Sequence, residues 1–233
     1  TSESELIVCS FGPSDGIPVV LFGDSHAGRL FPALETAFED QPVRLITLTK
    51  SGCRSIESPE LWAGAENQSC SQWRAAALEW LLAHPPQLLV LANHSGRSAD
   101  DSDAETEVRW RTAAETTLAR FPEGVRVAII ADTPEFEFSP PVCLSRHLDD
   151  AAVCSESRAE AINAPAIAGI RAGALSGSAT VVDLTDWFCN ADRCPTIIGS
   201  SLVYTDAHHV SATFSAQLGP AVRSMLAPLI AAS

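Results

Sequence analysis

Ser25 follows Gly23 and Asp24 directly after an apolar run, Val19-Val20-Leu21-Phe22, while Asp206 and His209 stand three residues apart near the other end of the chain. An alcohol is a weak nucleophile near neutral pH and needs a base to take its proton. Imidazole suits that task, and a carboxylate beside it orients the ring and stabilises the imidazolium. One turn can bring a carboxylate alongside an imidazole at this spacing. Ser25, His209 and Asp206 are therefore candidates for nucleophile, base and orienting acid in acyl chemistry. Taken singly, a serine after a strand is a common helix cap, and D-x-x-H is a common structural pattern. Their combination at the two ends of one chain makes them notable.

Elements of the right kind surround these residues. The run ending at Phe22 predicts a buried parallel strand, and Gly23 permits a sharp turn after it. Residues 27–38 predict a helix with Leu30, Phe31, Leu34 and Phe38 on one face. Ser25 then lies where strand becomes helix, beside backbone N–H groups that favour developing negative charge. Further strand-like runs cover 43–48, 88–92, 125–131 and 179–184, and helical patterns cover 71–83, 105–120, 156–172 and 211–231. Pro165 is expected to kink or split the fourth of the five helices. Strands alternating with helices of this length predict an α/β fold, a five-stranded parallel sheet covered on both faces. Two insertions, 51–70 and 132–155, follow the carboxyl ends of strands, where open α/β sheets place their sites. In a doubly wound sheet the loop after the last strand can return to the loop after the first, so Asp206 and His209 can meet Ser25. Residues 1–233 read as one domain, with no repeat, linker or low-complexity segment.

The formal net charge of −14 comes without any basic stripe, which disfavours nucleic acid and anionic membrane surfaces as partners. No apolar run reaches the length of a membrane span. Residues 1–5 are polar and acidic and do not resemble a signal peptide, so a processed or excised domain is expected.

Seven cysteines occur, and three sets of neighbours suggest the pairs Cys53–Cys70, Cys143–Cys154 and Cys189–Cys194, with Cys9 left over. Such pairs imply an oxidising, extracytoplasmic compartment. The alternative is a reduced protein with buried thiols.

Other chemistries compete for the same residues. Gly23-Asp24-Ser25-His26-Ala27 approaches the G-x-S-x-G nucleophile elbow, but that fold places several strands before its serine and here about one precedes Ser25. Asp24, His26, Asp206, His208 and His209 are possible metal ligands, yet no metalloenzyme spacing such as H-E-x-x-H supports them. No metal or cofactor is expected. Asp24 is expected to fix the turn, and His26 and His208 to line or flank the cleft. Exposed tryptophans often stack on sugars, but Trp62, Trp73, Trp80, Trp110 and Trp187 could equally be core; Trp62 and Trp187 lie in loop-like segments and are the better candidates for the cleft.

Gly23-Asp24-Ser25 with a late Asp206-x-x-His209 resembles the SGNH, or GDSL, hydrolase superfamily. The stretch from Val19 to Ala27, Thr49-Lys50-Ser51-Gly52-Cys53, Asp132-Thr133-Pro134, Asp186-Trp187-Phe188-Cys189, Cys194-Pro195 and the stretch from Tyr204 to Ser211 are similar to the SGNH domains attached to bacterial acyltransferase-3 membrane proteins. The resemblance implies a three-layer α/β/α, flavodoxin-like fold. It implies Ser25, His209 and Asp206 as a triad, and an oxyanion hole from the Ser25 and Gly52 N–H groups and an asparagine side chain. Asn93 is the candidate asparagine. It stands in Leu91-Ala92-Asn93-His94 where the family's pattern is G-x-N-D, and capping the following loop is the other role open to it. The implied activity is O-acyl transfer, most simply of acetyl, through an acyl-Ser25 ester to a hydroxyl of a cell-envelope glycan or glycolipid. The acyl source would be an acyltransferase-3 domain of the same polypeptide, at the extracytoplasmic face of a bacterial membrane. A free-standing secreted carbohydrate esterase and a non-catalytic glycan-binding domain are the alternatives.

Overall fold

A computed structural model describes residues 5–56, 67–97 and 100–231. Six strands form the central sheet: β1 (Cys9–Phe11), β2 (Ile17–Gly23), β3 (Val43–Thr49), β4 (Leu88–Ala92), β5 (Arg126–Ile130) and β6 (Thr180–Val182). Their spatial order is β1-β3-β2-β4-β5-β6, with all neighbours parallel except β1 against β3. The sheet thus has six strands, not the five expected. The addition is a three-residue antiparallel edge strand, exposed along its length, with no apolar periodicity to announce it. The five parallel strands follow the 2-1-3-4-5 order of flavodoxin-like sheets, whose switch point lies between β2 and β4.

The strand interiors explain their uninterrupted apolar sequence. Val19, Val20, Leu21 and Phe22 of β2, and Leu88 to Ala92 of β4, are buried on both faces. On one face the sheet packs against α1 (Ser25–Phe38) and the C-terminal helices, through Leu30, Leu34, Val222 and Leu226. On the other it packs against α2 (Asn67–Ala83), α3 (Asp103–Leu118) and α5 (Ala164–Ser176), through Trp73, Leu81, Trp110 and Ile170. Trp73 and Trp110 are core, and truncating either would cost about 3–5 kcal/mol.

Helix ends follow local chemistry. Asp24 caps α1 by accepting the His26 N–H, and Ser102 with Glu105 forms a capping box at the start of α3. The helix expected over 156–172 is instead a single turn, Arg158–Ala161, followed by α5. Pro165 thus accompanies a split, one of the two outcomes expected, and not a kink. It occupies the first turn of α5, where its missing N–H has no intrahelical acceptor to lose. Gly169 lets α5 lie against α3, since a Cβ there would stand 2.3 Å from the Glu107 carbonyl. The segment 211–231 is also two helices, α6 (Ala212–Gln217) and α7 (Gly219–Ala231), rather than one.

The three cysteine pairs expected from the sequence are closed, with Cα separations of 5.2, 5.8 and 4.0 Å, and Cys9 is free and exposed. Cys53–Cys70 ties the loop after β3 to α2. Cys143–Cys154 closes the insertion after β5, where α4 (Pro140–Arg146) faces a short 3-10 turn. Among the described residues no helix is long and apolar enough to cross a membrane.

Candidate active site

The switch point gathers the residues singled out above. Gly23 ends β2 against Ala92 at the end of β4, and a Cβ on Gly23 would stand 1.9 Å from the Ala92 carbonyl oxygen. Only glycine allows the two strand ends to approach this closely. Ser25 then opens α1, so its side chain stands at the positive end of a 14-residue helix. The Asp24 carboxylate accepts the N–H of His26 at 2.9 Å with one oxygen and the N–H of His94 at 2.9 Å with the other. Asp24 thus fixes the turn, as expected, and ties the loop after β2 to the loop after β4.

The opposite wall is a tight turn near the C-terminus. Tyr204 pairs with Val210, and the Thr205 N–H donates to the His209 carbonyl. Inside that turn one Asp206 oxygen accepts the N–H groups of His208 and His209, at 3.0 and 2.8 Å. The other lies 2.8 Å from His209 Nδ1, and His209 Nε2 lies 2.9 Å from Ser25 Oγ. The short spacing works because one side chain organises both the turn and the ring. Partial burial pushes the Asp206 carboxyl up, but the His208 N–H, the His209 ring and the His209 N–H outweigh it and hold it down to about 2. A carboxylate ionised at all working pH values fixes the Nδ1–H tautomer of His209 and leaves Nε2 free to accept the Ser25 proton.

Asn93 follows β4 directly. Its Oδ1 accepts the Ser55 N–H at 2.6 Å and the Ser55 hydroxyl at 2.9 Å. A backbone N–H can only donate, so the oxygen is the atom that faces Ser55 and the amide NH₂ faces the other way. That Nδ2 is buried and has no hydrogen-bond partner among the described residues. Gly52, in the same 50–56 loop, adopts φ +72°, a left-handed conformation suited to glycine. Asn93 thus anchors the loop that carries Gly52 and holds an unused donor beside the end of β4.

Sequence reasoning foresaw less of the remaining wall. His26, His94, His208 and His209 cluster, with ring centroids 4.1 to 5.2 Å apart. Asp132, at the end of β5, lies 2.6 Å from His26 Nδ1, and Glu135 lies 3.4 Å from His94 Nε2. Burial pushes the Asp132 carboxyl up, but His26, His94 and the Ser95 N–H outweigh it and hold it at about 2. The buried guanidinium of Arg54 donates to the His94 carbonyl from below. Asp132 stood in a noted block, Asp132-Thr133-Pro134, at the carboxyl end of a strand, which was the available signal for it. Among the described residues, His26, His94 and His208, and likewise Asp206, His208 and His209, bring ligand-type atoms within 4.8 Å of one another. The His26 and His94 rings stack at 24°, however, and imidazole lone pairs lie in the ring plane, so these two do not converge on one ion. Hydrogen bonds engage Nδ1 of His26 and both oxygens of Asp206.

Trp187 is 43% exposed on the one-turn helix Thr185–Phe188, and no ring contact ties it to the histidines among the described residues. Trp62 lies outside the described residues.

A family model described as the SGNH domain fused to AT3 domains matches residues 1–224. The chain belongs to this family. This SGNH domain matches no curated protein. Its fold resembles the periplasmic domain of the Salmonella ser. Paratyphi A lipopolysaccharide acetyltransferase, with a TM-score of 0.68 at 12% identity over 94% of this chain and 85% of that one. A second solved structure aligns with a TM-score of 0.50 at 13% identity, over 98% of the SGNH domain and 99% of the other chain.

Proposed function

We propose that this SGNH domain carries acyl groups on Ser25 and delivers them to a hydroxyl of a cell-envelope glycan or glycolipid. The observation that carries the reading is the unbroken hydrogen-bond chain from Ser25 Oγ through His209 to Asp206, set at the N-terminus of α1. His209 Nε2 takes the hydroxyl proton as Ser25 Oγ attacks the acyl carbonyl. The oxyanion of the tetrahedral intermediate draws hydrogen bonds from the Ser25 and Gly52 N–H groups and from the buried, unpartnered Asn93 NH₂. His209 then protonates the leaving group. In the second half-reaction His209 accepts the proton of an incoming hydroxyl, whose oxygen displaces Ser25. No cofactor enters either step.

An AT3 domain of the same polypeptide is the acyl source in this reading, because the family is one of such fusions. The structural likeness to a lipopolysaccharide acetyltransferase domain makes acetyl and a glycolipid acceptor the first choices. The three disulfides support an extracytoplasmic position. Hydrolysis is the second reading, because the Asp206 side chain is 45% exposed and water can reach the site.

The test is incubation of the chain with 4-nitrophenyl acetate and de-O-acetylated lipopolysaccharide. Ester-linked acetyl on the glycan, lost in Ser25→Ala, supports transfer. Acetate alone supports an esterase, and no Ser25-dependent turnover supports a binding domain. Asn93→Ala should lower turnover by about 10²–10³-fold and also lower the unfolding temperature, because the buried Ser55 N–H and hydroxyl lose their acceptor.

A further inference from the structure

The proposed chemistry uses one histidine of four and one carboxylate of the site. Among the groups left over, His26, His208 and Asp132 form a second hydrogen-bonded line. Asp132 Oδ1 lies 2.6 Å from His26 Nδ1 and accepts the Thr133 N–H at 2.8 Å, while Asp132 Oδ2 accepts the Ser95 N–H at 2.5 Å and the Ser95 hydroxyl at 3.0 Å. With donors on both oxygens this carboxyl group is an acceptor, so His26 Nδ1 carries a proton. His26 Nε2 lies 3.0 Å from His208 Nδ1, with the two rings only 6° from parallel. That link holds one proton, and its position decides what His208 offers on its far edge.

Two sets of neighbours place the proton on His26. The His26 ring is buried among the carboxylates of Asp24, from the turn after β2, and of Asp132 and Glu135, from the loop after β5. His208 is surrounded instead by the imidazoles of His26, His94 and His209, with Asp206 and, more weakly, Glu135 as acidic neighbours. The Arg54 guanidinium donates to the His94 carbonyl and interacts with the same three carboxylates, Asp24, Asp132 and Glu135. Burial pushes His26 down, but Asp132, Asp24 and Glu135 outweigh it and raise it. Burial and the neighbouring rings lower His208. His26 donates, His208 Nδ1 accepts, and the neutral His208 must carry its hydrogen on Nε2. A His208 nitrogen lies within 4.8 Å of the Asp206–His209 pair.

We propose that Asp132 and His26 are positioning residues that hold His208 in its Nε2–H tautomer, and that this N–H binds an oxygen of a hydroxyl-rich acceptor beside the acylated Ser25. The inference rests on the reading of Ser25 as the acyl carrier. His208 takes no proton from the reacting hydroxyl, so His209 remains the single base. Donation to an acceptor oxygen favours a polyol over water, which distinguishes transfer from hydrolysis at a site that water can reach.

Two measurements on the full chain test it. Long-range ¹H–¹⁵N NMR of ¹⁵N-histidine-labelled protein reads the tautomers without turnover and can be repeated in Ser25→Ala. The expected result is a neutral His208 protonated at Nε2, with that preference lost in Asp132→Asn and in His26→Gln. A His208 protonated at Nδ1, or one unmoved by Asp132→Asn, overturns the proposal. The second measurement is the ratio of acetylated methyl glucoside to acetate formed from 4-nitrophenyl acetate. It should fall about tenfold in His208→Ala, as for one lost hydrogen bond, and recover in part in His208→Gln, whose amide NH₂ can replace the donor. An unchanged ratio, or acetate alone from the unaltered chain, overturns the acceptor role. Nitrophenol release that survives Ser25→Ala, with the tautomers as predicted, would remove Ser25 as the carrier and leave the Asp132–His26–His208 line standing.

Discussion

Two carboxylate–histidine pairs meet at the switch point, and they are built in opposite ways. Asp206 and His209 are three residues apart, joined at 2.8 Å inside one turn, with side chains 45% and 17% exposed. Asp132 and His26 are 106 residues apart, joined at 2.6 Å, with side chains 6% and 3% exposed. The open pair reaches Ser25 and can exchange protons with substrate. The buried pair reaches only other protein groups and therefore acts through them. A buried ion pair is hard to break, because removing one partner leaves an uncompensated charge, whereas an exposed pair adds little to stability. The first pair should thus govern rate and the second the integrity of the site.

Crossed substitutions can break that comparison. His209→Ala should lower turnover of 4-nitrophenyl acetate by about 10⁴-fold or more, with a change in unfolding free energy under about 1 kcal/mol. Asp132→Ala should instead cost about 3–5 kcal/mol in urea unfolding, because it strands His26. Equal loss of stability in both variants would erase the distinction. Asp206→Asn should lower turnover by about 10⁴-fold, because the turn keeps an oxygen to accept the backbone N–H groups but an amide NH₂ then faces Nδ1 and favours the wrong tautomer of His209.

Acid titration gives a smaller, signed effect. The Asp132 carboxyl is held at about 2, below its unfolded value, so the stability it contributes is complete above about pH 4 and is lost as pH falls towards 2. It amounts to about 2 kcal/mol. Asp206 titrates in the same window but is more exposed, so solvent screening reduces its share. Melting temperatures between pH 5 and 2 should fall less steeply in Asp132→Asn than in the unaltered chain, while Asp206→Asn should change the slope little.

The same contrast explains what the sequence could disclose. The inner parallel strands β2, β4 and β5 are largely buried on both faces, so each left a continuous apolar run, and the alternation of strands with helices announced the α/β sheet. The edge strand Cys9–Phe11 is short and exposed and left no such mark. The Asp206–His209 pair is local, so its spacing was visible in the chain. The Asp132–His26 pair depends on β5 lying one strand beyond β4, a fact of topology that no local spacing records. The His26 and His208 positions were legible only as neighbours of stronger candidates. Asn93 could be named from its place after a strand, but its orphan NH₂ follows from the Ser55 hydrogen bonds. The split near Pro165 was legible from the proline, whereas the break between Gln217 and Gly219 was missed because the apolar pattern runs on through it.

The central claim is that Ser25 becomes acylated through His209, and the most direct measurement is the covalent intermediate itself. The chain would be incubated with 4-nitrophenyl acetate, quenched in acid and mapped by tandem mass spectrometry. An acetyl ester on Ser25, absent in Ser25→Ala and strongly reduced in His209→Ala, is the predicted result. An acetyl group on another residue, or none on Ser25 while nitrophenol is released at the normal rate, would contradict it.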